Sequence, residues 1–269
     1  MNKPSPTTRW WLAALAAMVL IAAATIVGTQ LASDNTAAPP TTHPTTPTTT
    51  TTAAATRTTP VPAAKFQLLW PFADEQQAAA WQAGYRTGGH QPWHLDADLT
   101  AQSFTQGYLH YSTLDQITTM AATGTEAHVG VGYKRPDGSA ATAAVLHLVK
   151  ISTGADAPWE VVGTDDAPQL TLTAPAYGAT VSPPTTVGGR ITGVDESLRI
   201  QVFDLASENA IGQAGGIPAG GQNSPWTAQV GFTAPVGATL TIAVSTGGHL
   251  TDVERFAVTG VRSGPSANG

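Results

Sequence analysis

The chain has no cysteine in 269 residues. That absence excludes a disulfide framework, a thiolate nucleophile and any Cys-ligated zinc or iron–sulfur centre. It also removes the lipid-modified cysteine that would define a bacterial lipoprotein. Charge is scarce as well. Only 11% of residues are Asp, Glu, Lys or Arg, and the net charge of −6 provides no basic stripe for phosphates. Nucleic acid is therefore excluded as a partner. Familiar catalytic signatures are missing too. There is no H-E-x-x-H helix and no G-x-S-x-G elbow. The runs Gly215-Gly216 and Gly220-Gly221 lack the lysine and the strand–loop–helix setting of a phosphate loop, and read as a flexible loop.

What the chain does have is strong segmentation. Trp10 to Ala32 is a run of 23 residues without a charge, and about 20 suffice to cross a bilayer core. Lys3 and Arg9 precede it and Asp34 follows. The run predicts a single membrane-spanning helix over 10–32, with residues 1–9 cytoplasmic and everything later extracytoplasmic. A cleaved signal peptide is the competing reading, but such segments have a shorter apolar region and a better cleavage site than Thr29-Gln30-Leu31-Ala32. Residues 33–64 hold 13 Thr and six Pro. They have too little apolar surface to offset the entropy of ordering, and predict a disordered Thr/Pro stalk. In the first 64 residues Lys3, Arg9 and Arg57 outweigh Asp34 by two charges, which leaves −8 on the rest of the chain. Such a head is repelled by anionic lipid, and by anionic wall polymer unless divalent cations bridge the two.

Residues 65–166 combine helix and strand signals. Asp74 with Gln77 forms a capping box for a helix through Tyr85, whose Ala78, Trp81 and Tyr85 share a face. Asp96 caps a second helix through about Leu109, with Leu99, Phe104 and Tyr108 as its buried positions. From there the period changes to two. Leu114–Thr119, Ala127–Tyr133, Thr142–Ile151 and Trp159–Val161 read as antiparallel strands, the middle pair joined at Pro136-Asp137-Gly138. The expectation is a small α+β domain of two helices on an antiparallel sheet. Residues 167–262 carry seven short alternating segments with Gly/Pro punctuation, the pattern of an all-β sandwich. A disordered tail is expected over 263–269.

The stretch Leu170 to Ile191 places Pro175, Gly178, Val181, Pro183, Val187 and Gly189 in a strand, a P-x-x-G-x-x-V turn, a Pro pair and a V-x-G strand. With Val202-x-Asp204 and Ser224-Pro225-Trp226, this resembles the immunoglobulin-like domain of bacterial spore germination proteins. The resemblance covers about residues 169–261. It implies an immunoglobulin-like sandwich with a role in adhesion or assembly outside the membrane. It carries over no catalytic residue and no cofactor. The whole layout, and segments such as Trp93-His94-Leu95-Asp96, also resemble membrane-anchored proteins of actinobacteria to which no activity attaches.

Candidate functional residues are few. His90-x-x-x-His94-x-Asp96-x-Asp98 is the densest polar constellation, but Pro92 interrupts it and Asp96 is needed as a cap. It reads as a turn and cap, not a metal site. His110, His128 and His147 sit singly, and His147 reads as a rim histidine. Asp156 with Glu160, and Asp165 with Asp166, read as solvated loop acids. Trp93, in a glycine-rich turn, is the best exposed aromatic, and with His90 and His94 it forms the candidate partner contact. The sequence thus predicts no catalytic residue, no metal and no cofactor. It predicts a non-catalytic head bound to the cell membrane through Trp10–Ala32, which engages an envelope polymer or another membrane protein. The alternative is an extracytoplasmic enzyme or small-ligand binder with a pocket in the α+β domain converging on His90, His94 and Asp96.

Overall fold

In the computed structural model, residues 65–266 are described. The predicted membrane helix over 10–32 and the Thr/Pro stalk over 33–64 lie outside the described residues. Among the described residues no helix is long and apolar enough to cross a membrane. The described part is mostly β-sheet with two short helices.

Helix α1 runs Glu75–Gly88, with Asp74 as its N-cap. Asp74 Oδ1 accepts from Gln77 N–H at 2.8 Å, and Gln77 Oε1 reaches back to Ala73 N–H at 2.9 Å. The capping box is thus present, with its return bond one residue earlier than the standard pattern. The helix continues three residues past Tyr85 and ends where Gly89 takes a φ of 67°, its N–H donating to Tyr85 O at 2.7 Å. A left-handed residue there favours glycine, which has no Cβ to clash. α1 is tied to the loop after the third strand by Gln82, which donates to Thr153 O and Asp156 Oδ1, both at 2.9 Å. Arg86 pairs with Asp156.

A 3₁₀ turn over Pro92–Leu95 leads into α2, Ala97–Ser103, which widens into a single π-turn over Phe104–Tyr108. Asp96 caps α2 by accepting from Leu99 N–H at 3.0 Å. The buried face differs from the expected one in one position. Leu99 is 51% exposed, while Ala97, Thr100, Ala101, Phe104 and Leu109 are buried. Small residues let the helix lie close to the sheet, and Leu99 falls on the outer side.

Four antiparallel strands follow in the order β1-β2-β3-β4: Gln116–Thr123, Glu126–Lys134, Ala140–Lys150 and Trp159–Thr164. The segment before α1 extends this sheet, since Leu69 N–H donates to Val161 O at 3.0 Å and Val161 N–H to Trp70 O at 2.8 Å. One face carries Val129, Val131, Leu146, Leu148 and Val161 onto α2. Val149 and Val162, on the other face, pack with Phe72, Ala78 and Trp81 of the α1 layer.

The second half is a five-stranded sheet in the order β5-β9-β8-β6-β7. Its strands are β5 Thr180–Val181, β6 Thr185–Phe203, β7 Gly212–Val230, β8 Thr239–Thr246 and β9 Arg255–Ser263. Where short strands were expected, β6 and β7 are each 19 residues long. Register shifts between Ile191 and Glu196 mark where this ribbon is irregular. At the start of β6, Leu170 and Ala174 bridge to Ile191 and Gly188. At its end, Arg199–Phe203 pairs with β8 instead. The ribbon therefore belongs to two pairings, with Leu170, Val187, Ile191, Leu198, Ile200, Trp226, Leu240, Ile242 and Val261 enclosed as one apolar cluster. The arrangement is consistent with a small β-sandwich. The glycine pairs at 215–216 and 220–221, expected in a loop, lie within β7: Gly221 pairs with Gly193, and Gly215-Gly216 falls opposite the register shift between Leu198 and Ile200. β9 runs to Ser263 and Gly264 N–H donates to Val181 O at 2.7 Å, so the start of the expected tail is part of the sheet.

The two halves share a core. Phe104, Tyr111, Leu148, Trp159 and Val161 of the first cluster with Phe203, Ala243, Phe256 and Val258 of the second. Tyr108 meets Phe203 with ring centroids 5.4 Å apart, and Tyr111 meets Phe256 edge-on at 5.3 Å. Tyr111 Oη donates to Gln201 Oε1 at 3.2 Å, and Val258 N–H donates to Thr164 Oγ1 at 2.9 Å.

Candidate functional site

The structure separates the histidines of the predicted contact. His90 is exposed, its ring lying against Gly88. His94 is buried at 3% exposure, enclosed by Phe72 and Trp81 at 4.9 Å and by Trp93 at 3.6 Å between ring centroids. Burial among these rings disfavours its charged form and lowers its pKa to about 4. Trp93 is half-buried and stacks on Trp70 at 5.3 Å. His94 and Trp93 thus pack the layer between α1 and α2. Asp96 serves as the cap, and Asp98 is half-buried.

The carboxylate pair of Asp156 and Glu160 also divides. Asp156 pairs with Arg86, which holds its pKa down to about 2. Glu160, expected in a solvated loop, is wholly buried in β4. Its Oε2 accepts from Phe72 N–H at 3.1 Å and its Oε1 has no partner. Burial raises its pKa well above the usual glutamate range. It faces inward because the segment before α1 adds to the edge of β4 and covers it.

A different set comes together. Antiparallel pairing of β2 with β3 sets His128 directly opposite His147. Their rings stack at 4.6 Å with an interplanar angle of 9°. Glu126 lies two residues before His128 on the same face, and its Oε2 is 3.7 Å from His147 Nε2. Asp165, just past β4, accepts from His128 Nδ1 at 2.8 Å. Phe66 meets the edge of the His147 ring at 5.5 Å. His147 Nε2 is shielded from solvent and has no hydrogen-bond partner. Desolvation, and then the neighbouring His128, lower the His147 pKa and favour its neutral form. Glu126, His128 and His147 each offer one donor atom, all within 4.8 Å of one another. Sequence reasoning treated both histidines as isolated. The available signal was their nearness in one hairpin; counted from the turn at 136–138 they fall on opposite faces, and only the register shift between Val131 and Gly132 brings them onto one.

His147 also borders a recess of about 510 Å³ at the seam of the halves. Phe66, Val162 and Thr164 line it from the first half, and Leu172, Tyr177 and Val258 from the second. Tyr177 Oη accepts from Gln67 N–H at 2.6 Å and donates to Gln67 O at 3.3 Å, bracing one wall. A second seam recess of about 460 Å³ lies between Trp70, Tyr108 and Asp204. Asp204 is 7% exposed, with Oδ1 unpartnered. Neither recess is lined by His90, His94 or Asp96.

Comparison with known proteins places no relative beside this chain: no family model, curated protein or solved structure matches it.

Proposed function

We propose that this chain is a non-catalytic binding protein of the cell envelope, anchored by Trp10–Ala32 and carrying its folded head on the Thr/Pro stalk outside the membrane. The observation that carries the reading is the seam recess of about 510 Å³, walled by both halves of the head. Junctions between domains are where ligand sites concentrate, because neither half alone encloses the space. The apolar Phe66, Leu172 and Tyr177 suit an apolar or sugar-like surface of an envelope component or partner protein. The charge of −8 outside the first 64 residues favours a neutral or cationic ligand. The immunoglobulin-like reading of the second half is part of this proposal. The parallel pairing of β5 with β9, at Thr180–Arg262 and Val181–Ser263, is in keeping with it.

Two measurements test the proposal. Because the chain has no cysteine, Ser112→Cys and Ser5→Cys are clean topology probes. A membrane-impermeant maleimide added to intact protoplasts is expected to label Ser112→Cys and to leave Ser5→Cys unlabelled until lysis. The reverse pattern, or recovery of the chain from cytosol, defeats the anchored reading. A photo-crosslinking residue at Thr173, an exposed position bordering the recess, is expected to capture one species in the native envelope. The same residue at Ser112 is expected to capture none, and Tyr177→Ala is expected to abolish the Thr173 adduct. Adducts that are equal at both positions and indifferent to Tyr177→Ala defeat the binding site.

A further inference from the structure

We propose that Glu126, His128 and His147 form a binding site for a divalent transition-metal ion of the zinc class, with Asp165 positioning His128. The three side chains project from one face of the β2–β3 hairpin, so the backbone of a central sheet region fixes their origins. His128 and His147 stand opposite each other, and Glu126 supplies the third donor from the diagonal. Two imidazoles and one carboxylate suit zinc, cobalt or nickel; calcium and magnesium prefer oxygen-only shells.

Three details go beyond proximity. His128 Nδ1 is engaged by both Asp165 oxygens, at 2.8 and 3.0 Å. This fixes the tautomer and leaves Nε2 as the lone-pair nitrogen, the arrangement in which a carboxylate orients a metal-bound histidine. His147 Nε2 is buried without a hydrogen-bond partner and 3.7 Å from a Glu126 oxygen. That gap is too long for a hydrogen bond and is of the size that an ion bound to both atoms would span. Finally, the side chains are 40% exposed at Glu126, 21% at His147 and 40% at His128, which leaves an entry path. Tetrahedral coordination at about 2.0–2.1 Å places donors about 3.3 Å apart. The donor atoms, within 4.8 Å of one another, draw together to that spacing when the ion binds. Three protein ligands leave a fourth position for water or for a group of a bound partner.

The test uses the full-length protein, stripped with a chelator and dialysed to equilibrium against Zn²⁺ or Co²⁺ in excess Mg²⁺. One tightly bound equivalent is expected, with the visible spectrum of tetrahedral Co²⁺. His128→Gln and His147→Gln, close in size to the originals, are expected to lose at least about 100-fold in affinity. Asp165→Asn is expected to lose about 10–100-fold. Zinc is expected to raise the melting temperature of the parent protein and not that of the glutamine variants, whose metal-free melting matches the parent. No bound equivalent overturns the proposal, as does undiminished affinity in the double His128→Gln/His147→Gln variant, which would place the ion elsewhere. The two proposals are separable at His128, which does not line the recess: loss of zinc binding in His128→Gln leaves the Thr173 crosslink intact, and loss of the crosslink in Tyr177→Ala leaves zinc binding intact.

Discussion

Two buried ionisable side chains act in opposite pH ranges. His94 is held neutral by its aromatic enclosure, with a folded pKa of about 4 against 6.5 when free. The unfolded chain therefore binds a proton that the folded chain refuses between those values, and His94 draws stability away as pH falls through that window. His94→Leu is expected to flatten the stability profile between pH 6.5 and 4 by on the order of 2 kcal/mol, measured as urea midpoints across pH. Glu160 works the other way. Its folded pKa is raised above the ordinary 4.5, so the folded state keeps a proton that the unfolded state releases, and stability falls as pH rises past that value. Glu160→Gln is expected to stabilise at pH 8 relative to pH 4, by about 1–3 kcal/mol. An equal effect at both pH values would show that the carboxyl is not the cause.

Among the elements, the β2–β3 hairpin decides the site. Close to the turn, Lys134 pairs with Ala140 and Gly132 with Thr142. A bulge between Val131 and Gly132 then shifts the register by one, so that His128 meets His147 and not Leu146. Without that extra residue the two imidazoles would lie on opposite faces, since side chains alternate along a strand. Gly132 permits the bulge: a Cβ there would come within 1.8 Å of Ala141 O, a backbone atom that cannot swing aside. Gly132→Ala is expected to destabilise by about 1–3 kcal/mol and to weaken zinc binding at the same time. Retained zinc affinity in a destabilised Gly132→Ala protein would separate the bulge from the site. At α1 the prediction is simpler. Asp74→Ala removes the bond to Gln77 N–H and is expected to cost about 1 kcal/mol in chemical unfolding.

At the scale of the molecule, the shared core makes the head one cooperative body. The described residues belong to a single compact unit, and Phe203 and Phe256 of the second half sit in the same apolar cluster as Phe104 and Trp159 of the first. Opening either half exposes the apolar surface of both. Urea unfolding followed by tryptophan fluorescence and by far-ultraviolet dichroism is expected to give coincident transitions. Phe203→Ala is expected to lower both by about 3–5 kcal/mol, although most tryptophans lie in the other half. Two separated transitions would show that the seam contributes little. The seam recesses depend on the same fusion, since both halves line them.

Local patterns were enough to anticipate the caps at Asp74 and Asp96, the alternation of Ala127–Tyr133, the turn at 136–138 and the β-rich second half. Each is set by residues close in sequence, through hydrogen bonds of a few positions' reach or the two-residue period of a strand. The placement of Leu99, the continuity of β6 and β7, the burial of Glu160 and the enclosure of His94 were not legible. They depend on which distant surface arrives to cover them. The meeting of Glu126, His128, His147 and Asp165 is the sharpest case. Hairpin proximity was readable, but a single-residue bulge sets the face, and Asp165 arrives only because β4 adds to β3. Composition and period chose the elements; packing between elements decided which polar groups met and which were sealed away from water.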